Sequence, residues 1–153
     1  VIIAVLSLVL LAGAGCPKRT GPDYDFDPPP SVWAPKRGSD GQLLFQRETG
    51  EMGIMVNTLC DRYREAPLKP LARDLFIGFD DKEVIEDGKT QVSGLDAHYM
   101  IMTAKLDGAP LKMKSYTFRK GECIYDLVYF SPPAGYDAGL GDFEAFVDGF
   151  RAR

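Results

Sequence analysis

Between Glu122 and Phe130 both phases of an extended segment are apolar: Cys123, Tyr125, Leu127 and Tyr129 fall on one side, Ile124, Val128 and Phe130 on the other. A strand with one wet face alternates apolar and polar residues, so this one has to run through the middle of a sheet whose two faces are both covered. It closes an antiparallel meander. Ala97 to Lys105, the turn Asp107-Gly108, Leu111 to Arg119 and the turn Lys120-Gly121 lead into it. In the middle strand the apolar set changes phase from Leu111 and Met113 to Tyr116 and Phe118, which predicts a bulge near Ser115.

The neighbouring segments supply the cover. After Pro132-Pro133 breaks the sheet, Leu140, Phe143, Phe146, Val147 and Phe150 recur at helical spacing, a stripe that reads as core rather than as a cofactor box. Upstream, Leu43 to Arg47 and Met52 to Leu59 flank a turn at Thr49-Gly50. Ala66 to Phe79 places Leu68, Leu71, Ala72 and Leu75 on one helical face, with Pro67 and Pro70 tolerable in the first turn and Gly78 helping to end it. Lys82 to Glu86 before Asp87-Gly88, and Gln91 to Ser93 before Gly94, read as short strands. The order predicts an α+β class: one antiparallel β-sheet covered by helices on both faces, in a single domain spanning 42–153 and without internal repeats.

The run Gly121-Glu-Cys-Ile-Tyr-Asp-Leu-Val-Tyr129, followed by Ser131-Pro-Pro133 and Phe143-x-x-Phe-Val-x-Gly-Phe150, resembles small bacterial lipoproteins of the PsbP and DcrB type. The resemblance spans Gln42 to Phe150. It implies a PsbP-like sandwich and a non-enzymatic accessory or binding role, and it transfers no functional residue.

The N-terminal end carries an address. Val1 to Ala12 is apolar except for Ser7, and Gly13, Ala14 and Gly15 precede Cys16 with side chains small enough for a signal peptidase. This is similar to the lipobox of bacterial lipoproteins, which implies a signal peptide over 1–15 and diacylglyceryl and N-acyl (palmitate-type) modification of Cys16. No initiator Met or basic segment precedes Val1, so the start reads as truncated. A membrane-spanning helix is the competing reading; the fifteen residues before Cys16 reach only ~22 Å at ~1.5 Å per residue, against a ~30 Å hydrocarbon core. Three acyl chains exceed the two signals that stable anchoring takes. Pro17 stands where inner-membrane retention favours Asp, which places the expected partner bilayer at the outer membrane, with the domain facing the periplasm. Residues 16–41 hold six of the eleven prolines and read as a stiff tether after the lipidated cysteine, with Trp33 docking back on the domain.

With Cys16 assigned to lipid, Cys60 and Cys123 form an even pair in an oxidising compartment, and a disulfide between them is expected; two buried free thiols are the alternative. A loop of ~60 residues closed in this way contributes about 4 kcal/mol in the chain-entropy model. A net charge of −4 lacks the basic surplus of a nucleic-acid binder. His98 is the only histidine, and no H-E-x-x-H, G-x-S-x-G, S-x-x-K or Walker sequence occurs. The expectation is therefore no catalytic residue, no cofactor and no metal. Asp23, Asp25 and Asp27 alternate like a calcium loop but meet Pro28 where glycine is needed. Asp80, Asp81, Glu83, Glu86 and Asp87 read as a solvated acidic loop or a weak cation site. Asp126, a charge mid-strand, is either the polar floor of a ligand cleft, with His98 and Tyr125 as companions, or a hydrogen-bonded structural carboxylate. The functional expectation is a membrane-anchored envelope module that contacts a protein partner, or alternatively a small-ligand carrier with a cleft between sheet and helix.

Overall fold

The computed structural model describes residues 24–38 and 42–153. The expected signal peptide and the expected lipidation site Cys16 lie outside the described residues. The elements are β1 (Tyr24–Asp25), β2 (Trp33–Arg37), β3 (Leu43–Arg47), β4 (Gly53–Cys60), α1 (Leu68–Asp74), β5 (Asp80–Val92), β6 (Leu95–Leu106), β7 (Ala109–Lys120), β8 (Cys123–Ser131), α2 (Tyr136–Asp148) and β9 (Arg151–Ala152). Seven strands pair antiparallel in the order β2-β3-β4-β8-β7-β6-β5, and β1 pairs separately with β9. The strand with two apolar phases, β8, is the middle one.

Three hairpins build the β5 to β8 half. Ser93-Gly94 and Asp107-Gly108 both hold positive φ at two successive residues, as two-residue hairpin turns that match strand twist require. Register then alternates side chains between two separate cores. On the first face Phe45, Ile54, Val56, Tyr116, Phe118, Tyr125, Leu127 and Tyr129 pack with Phe143, Phe146 and Val147 of α2 and with Phe150. Gly139 lets α2 settle there, because a Cβ at that position would come within 2.5 Å of the Tyr129 hydroxyl oxygen. On the second face Met100, Met102, Met113 and Val128 pack with Ala72 and Phe76, at and just beyond α1.

Several expectations change. The β6–β7 and β7–β8 registers run without interruption past Ser115, so the predicted bulge is absent there. The phase change has another cause: Leu111 and Met113 belong to the second core and Tyr116 and Phe118 to the first, and the two cores are offset along β7. Irregular register occurs instead in β5, between Asp80 and Glu83 and between Val84 and Glu86. Gly88 lies within β5 rather than in a turn, opposite Tyr99, whose ring covers it; a Cβ would meet that ring at 2.9 Å. The helix expected over Ala66 to Phe79 is regular only over Leu68–Asp74. Cover of the second face is consequently partial.

The domain also starts earlier than residue 42. β2 pairs with β3 through Pro35↔Phe45, at the sheet edge where a residue without an N–H is tolerated. Phe26 packs against Phe45 and Phe146. Trp33 is 2% exposed and donates its indole N–H to Asp142 at 2.8 Å. The expected docking of Trp33 thus extends to the whole segment around it.

Cys60 and Cys123 stand opposite each other at one end of the β4–β8 ladder and are disulfide-bonded, closing a sequence separation of 63 residues.

Candidate functional site

The second face of the sheet holds the candidate site. Successive residues of β6 point to opposite faces, so Met100, Met102 and Ala104 oppose Ala97, Tyr99 and Ile101. α1 is held over this face at its N-terminal end. Arg119 donates to the carbonyl oxygens of Tyr63 at 2.9 Å and Ala66 at 2.7 Å, and Lys69 reaches Asp87 at 3.0 Å. At seven residues the helix is too short to span a seven-stranded sheet. Beside it an apolar concavity of about 650 Å³ remains, lined by Met55, Leu75, Phe79, Met113, Val128 and Phe130 among others. Thioether side chains adapt to irregular apolar shapes, so this surface suits a hydrocarbon or apolar peptide occupant.

A polar row crosses the same face. Asp126 is 6% exposed; its Oδ1 accepts from the Thr117 hydroxyl at 2.7 Å and its Oδ2 from the Asn57 amide at 3.0 Å. Asn57 in turn accepts from Gln42 at 3.1 Å. Thr117 and Asn57 are the cross-strand partners of Asp126 on β7 and β4, so one register places all three. Burial pushes the Asp126 carboxyl above its ordinary value, and the bonds from Thr117 and Asn57 oppose that rise. Asp126 and Asn57 line a second, smaller hollow of about 250 Å³ on another flank of α1.

The expected companions separate. His98 shares the face but lies one strand farther on, opposite Thr117, with its Nε2 3.3 Å from Asp87 Oδ2, and it lines a different hollow. Tyr125 is the correction: strand alternation turns it to the first face, 1% exposed and stacked on Phe118 at 5.5 Å, so it cannot line a cleft with Asp126. The carboxylates Asp80, Asp81, Glu83, Glu86 and Asp87 are not on a loop but on β5, where all except Asp87 are exposed. Three of them engage a cation or a hydroxyl: Asp81 with Lys105 at 2.7 Å, Glu86 with the Tyr99 hydroxyl at 2.6 Å, and Asp87 with Lys69, whose hydrogen bond is the main cause holding the Asp87 carboxyl low. No group of three or more His, Cys, Asp or Glu that could hold a metal occurs among the described residues.

Sequence reasoning missed the methionine surface and the partners of Asp126. A signal for both existed. Counting back from the Lys120-Gly121 turn pairs Thr117 with Asp126, and Met100 and Met102 share the phase opposite to Tyr99 and Ile101.

Comparison with known proteins identifies the fold. No family model matches the chain, and no curated protein sequence matches it. Solved structures do. The solution structure of PsbP (CyanoP) from Synechocystis sp. PCC 6803 is similar with a TM-score of 0.61 at 9% identity, over 94% of this chain and 99% of that one. LpqN of Mycobacterium tuberculosis, described as involved in cell envelope biogenesis, is similar with a TM-score of 0.63 at 12% identity, over 88% and 86% of the two chains. A Bacteroides thetaiotaomicron structure is similar with a TM-score of 0.61 at 12% identity, over 85% of this chain, which spans 45% of that one. The chain has a PsbP-like fold: a mostly antiparallel sheet with two α-helices among the described residues. No helix among the described residues is long and apolar enough to cross a membrane.

Proposed function

We propose that this PsbP-like domain is the globular part of a non-enzymatic envelope lipoprotein, tethered through acylated Cys16 to the outer membrane and facing the periplasm. It is an accessory module whose methionine face receives an apolar segment of a protein partner. The apolar concavity of about 650 Å³ beside α1 carries the reading, because a mostly apolar hollow of that size, lined by adaptable methionines, is the kind of surface on which an apolar group docks. Support for the compartment comes from the Cys60–Cys123 disulfide, which persists in oxidising surroundings, and from the envelope role stated for the similar LpqN. The volume, within the ordinary range of small-molecule sites, also favours a second reading, a carrier for a small apolar ligand.

Site-specific photocrosslinking in intact cells tests both. The photoreactive residue replaces Leu106, which lines the concavity and is 42% exposed, or Ile85, which is 53% exposed and does not line it. A discrete protein adduct at position 106, absent at 85 and lost on Met55→Glu, is expected. An adduct of small-molecule mass would transfer the function to the carrier reading, and equal labelling at the two positions would overturn both. Intact mass from the membrane fraction checks the anchor separately: three acyl chains on Cys16 are expected, and an unmodified thiol there would remove the lipoprotein assignment.

A further inference from the structure

The smaller hollow has a chemistry of its own. Its floor is Asp126 with Asn57, its walls are Leu59, Leu71, Leu75 and Ile124, and Asp74 of α1 stands exposed at its rim. No Lys, Arg or His lines it. Among the described residues the partners of Asp126 are two neutral dipoles, Thr117 and Asn57. A buried carboxylate without a counter-ion is costly, and each of its oxygens has lone-pair capacity beyond the single bond it accepts here. The volume of about 250 Å³ equals roughly eight waters at ~30 Å³ each.

We propose that this hollow binds a small organic ammonium, with its charged head on Asp126, its hydrocarbon body against Leu59, Leu71 and Ile124, and Asp74 adding negative potential at the mouth. A metal ion fits poorly, since aliphatic walls supply no oxygen ligands. An anion would face two carboxylates and no cation. The site is distinct from the apolar concavity, which lacks Asp126 and Asn57 and shares only the Leu75 wall with it.

Three probes of one shape and different charge test it: 2-phenylethylammonium, 2-phenylethanol and 3-phenylpropionate, each titrated at neutral pH into the isotope-labelled full chain. The shifts followed are those of the Asp126 carboxyl carbon and of the Leu59, Leu71 and Ile124 methyls. The ammonium is expected to shift all of them saturably and to bind at least about tenfold tighter than the alcohol, a difference of about 1.4 kcal/mol. 3-Phenylpropionate should leave them unmoved. Asp126→Asn should abolish that preference; if that variant does not fold, Leu71→Phe, which fills the hollow from α1, should remove binding while leaving the carboxylate in place. Equal binding of ammonium and alcohol, or no saturable shift with millimolar ammonium, would overturn the proposal and leave Asp126 a structural carboxylate.

Discussion

On one face of the sheet Tyr129 and Phe143 stack at 5.7 Å, Phe118 and Tyr125 at 5.5 Å, and Phe150 closes the end of the cluster; on the other, Met55, Met100, Met102 and Met113 lie under or beside a seven-residue helix. Rigid rings interlock in few ways, and α2 seats them along its whole length. Methionines repack at little cost, and α1 leaves part of their surface open. β8 serves both faces with alternate residues, so a single strand joins a core that fixes the fold to a surface able to accommodate something else. The difference teaches that, under the proposed function, stability and binding would be assigned to opposite faces of one sheet. The proposed partner surface would be free to vary without disturbing the side that folds the chain.

The widest test is Phe143→Ala. The ring is fully buried between Tyr129 and Tyr116, and its loss should lower stability by about 4 kcal/mol in urea unfolding. A loss below about 2 kcal/mol would show that the aromatic face relaxes as readily as the other and would break the contrast. Met113→Ala should cost less, about 2 kcal/mol, because that side chain, although buried, borders the concavity and packs with other methionines, which can repack into the space it leaves. Calorimetry or urea unfolding of both variants side by side measures the ratio.

Asp126→Asn should go the other way. With the Asp126 carboxyl raised by burial, the folded state holds its proton more tightly than the unfolded chain does. Its contribution to stability is therefore complete below the unfolded value of about 3.9 and is lost as pH rises through the higher folded value. The amide escapes that loss. Urea midpoints should show the variant about 1 kcal/mol more stable near neutrality, with the gap closing toward acid pH. A constant gap across pH would mean that Asp126 does not titrate in this range. The smallest effect is expected for Ile77→Ser. Ile77 is 75% exposed beside α1, and a change within about 0.5 kcal/mol would agree with a thin, loosely seated cover.

What the sequence revealed follows the same division. The two phases of β8 and the Phe143, Phe146, Val147 and Phe150 stripe are local patterns, and they announced the central strand and the closing helix. The edge strand β2 was hidden because Pro35 and the preceding proline run look like a tether; its place depends on pairing with Phe45 and on an indole bond to Asp142, 109 residues away. Gly88 looked like a turn for a similar reason, since only the Tyr99 ring packed over it makes it tolerable in a strand. Asp126 stood out as a charge among apolar neighbours. What it binds to comes from β4 and β7, and the hollow above it from the ending of α1, which no periodicity encodes.

Trp33 is the only tryptophan in the chain, and it sits in the segment that leads into the sheet from the N-terminal side. With its indole buried beside Tyr129 and bonded to Asp142, it is a built-in optical reporter of that segment. Intrinsic emission excited selectively at the indole should be blue-shifted while β2 is seated and move to the red when β2 peels from β3, even with the rest of the sheet intact. Any load passed along the chain toward the domain from its N-terminal side would therefore be visible as a colour change before it became an unfolding event.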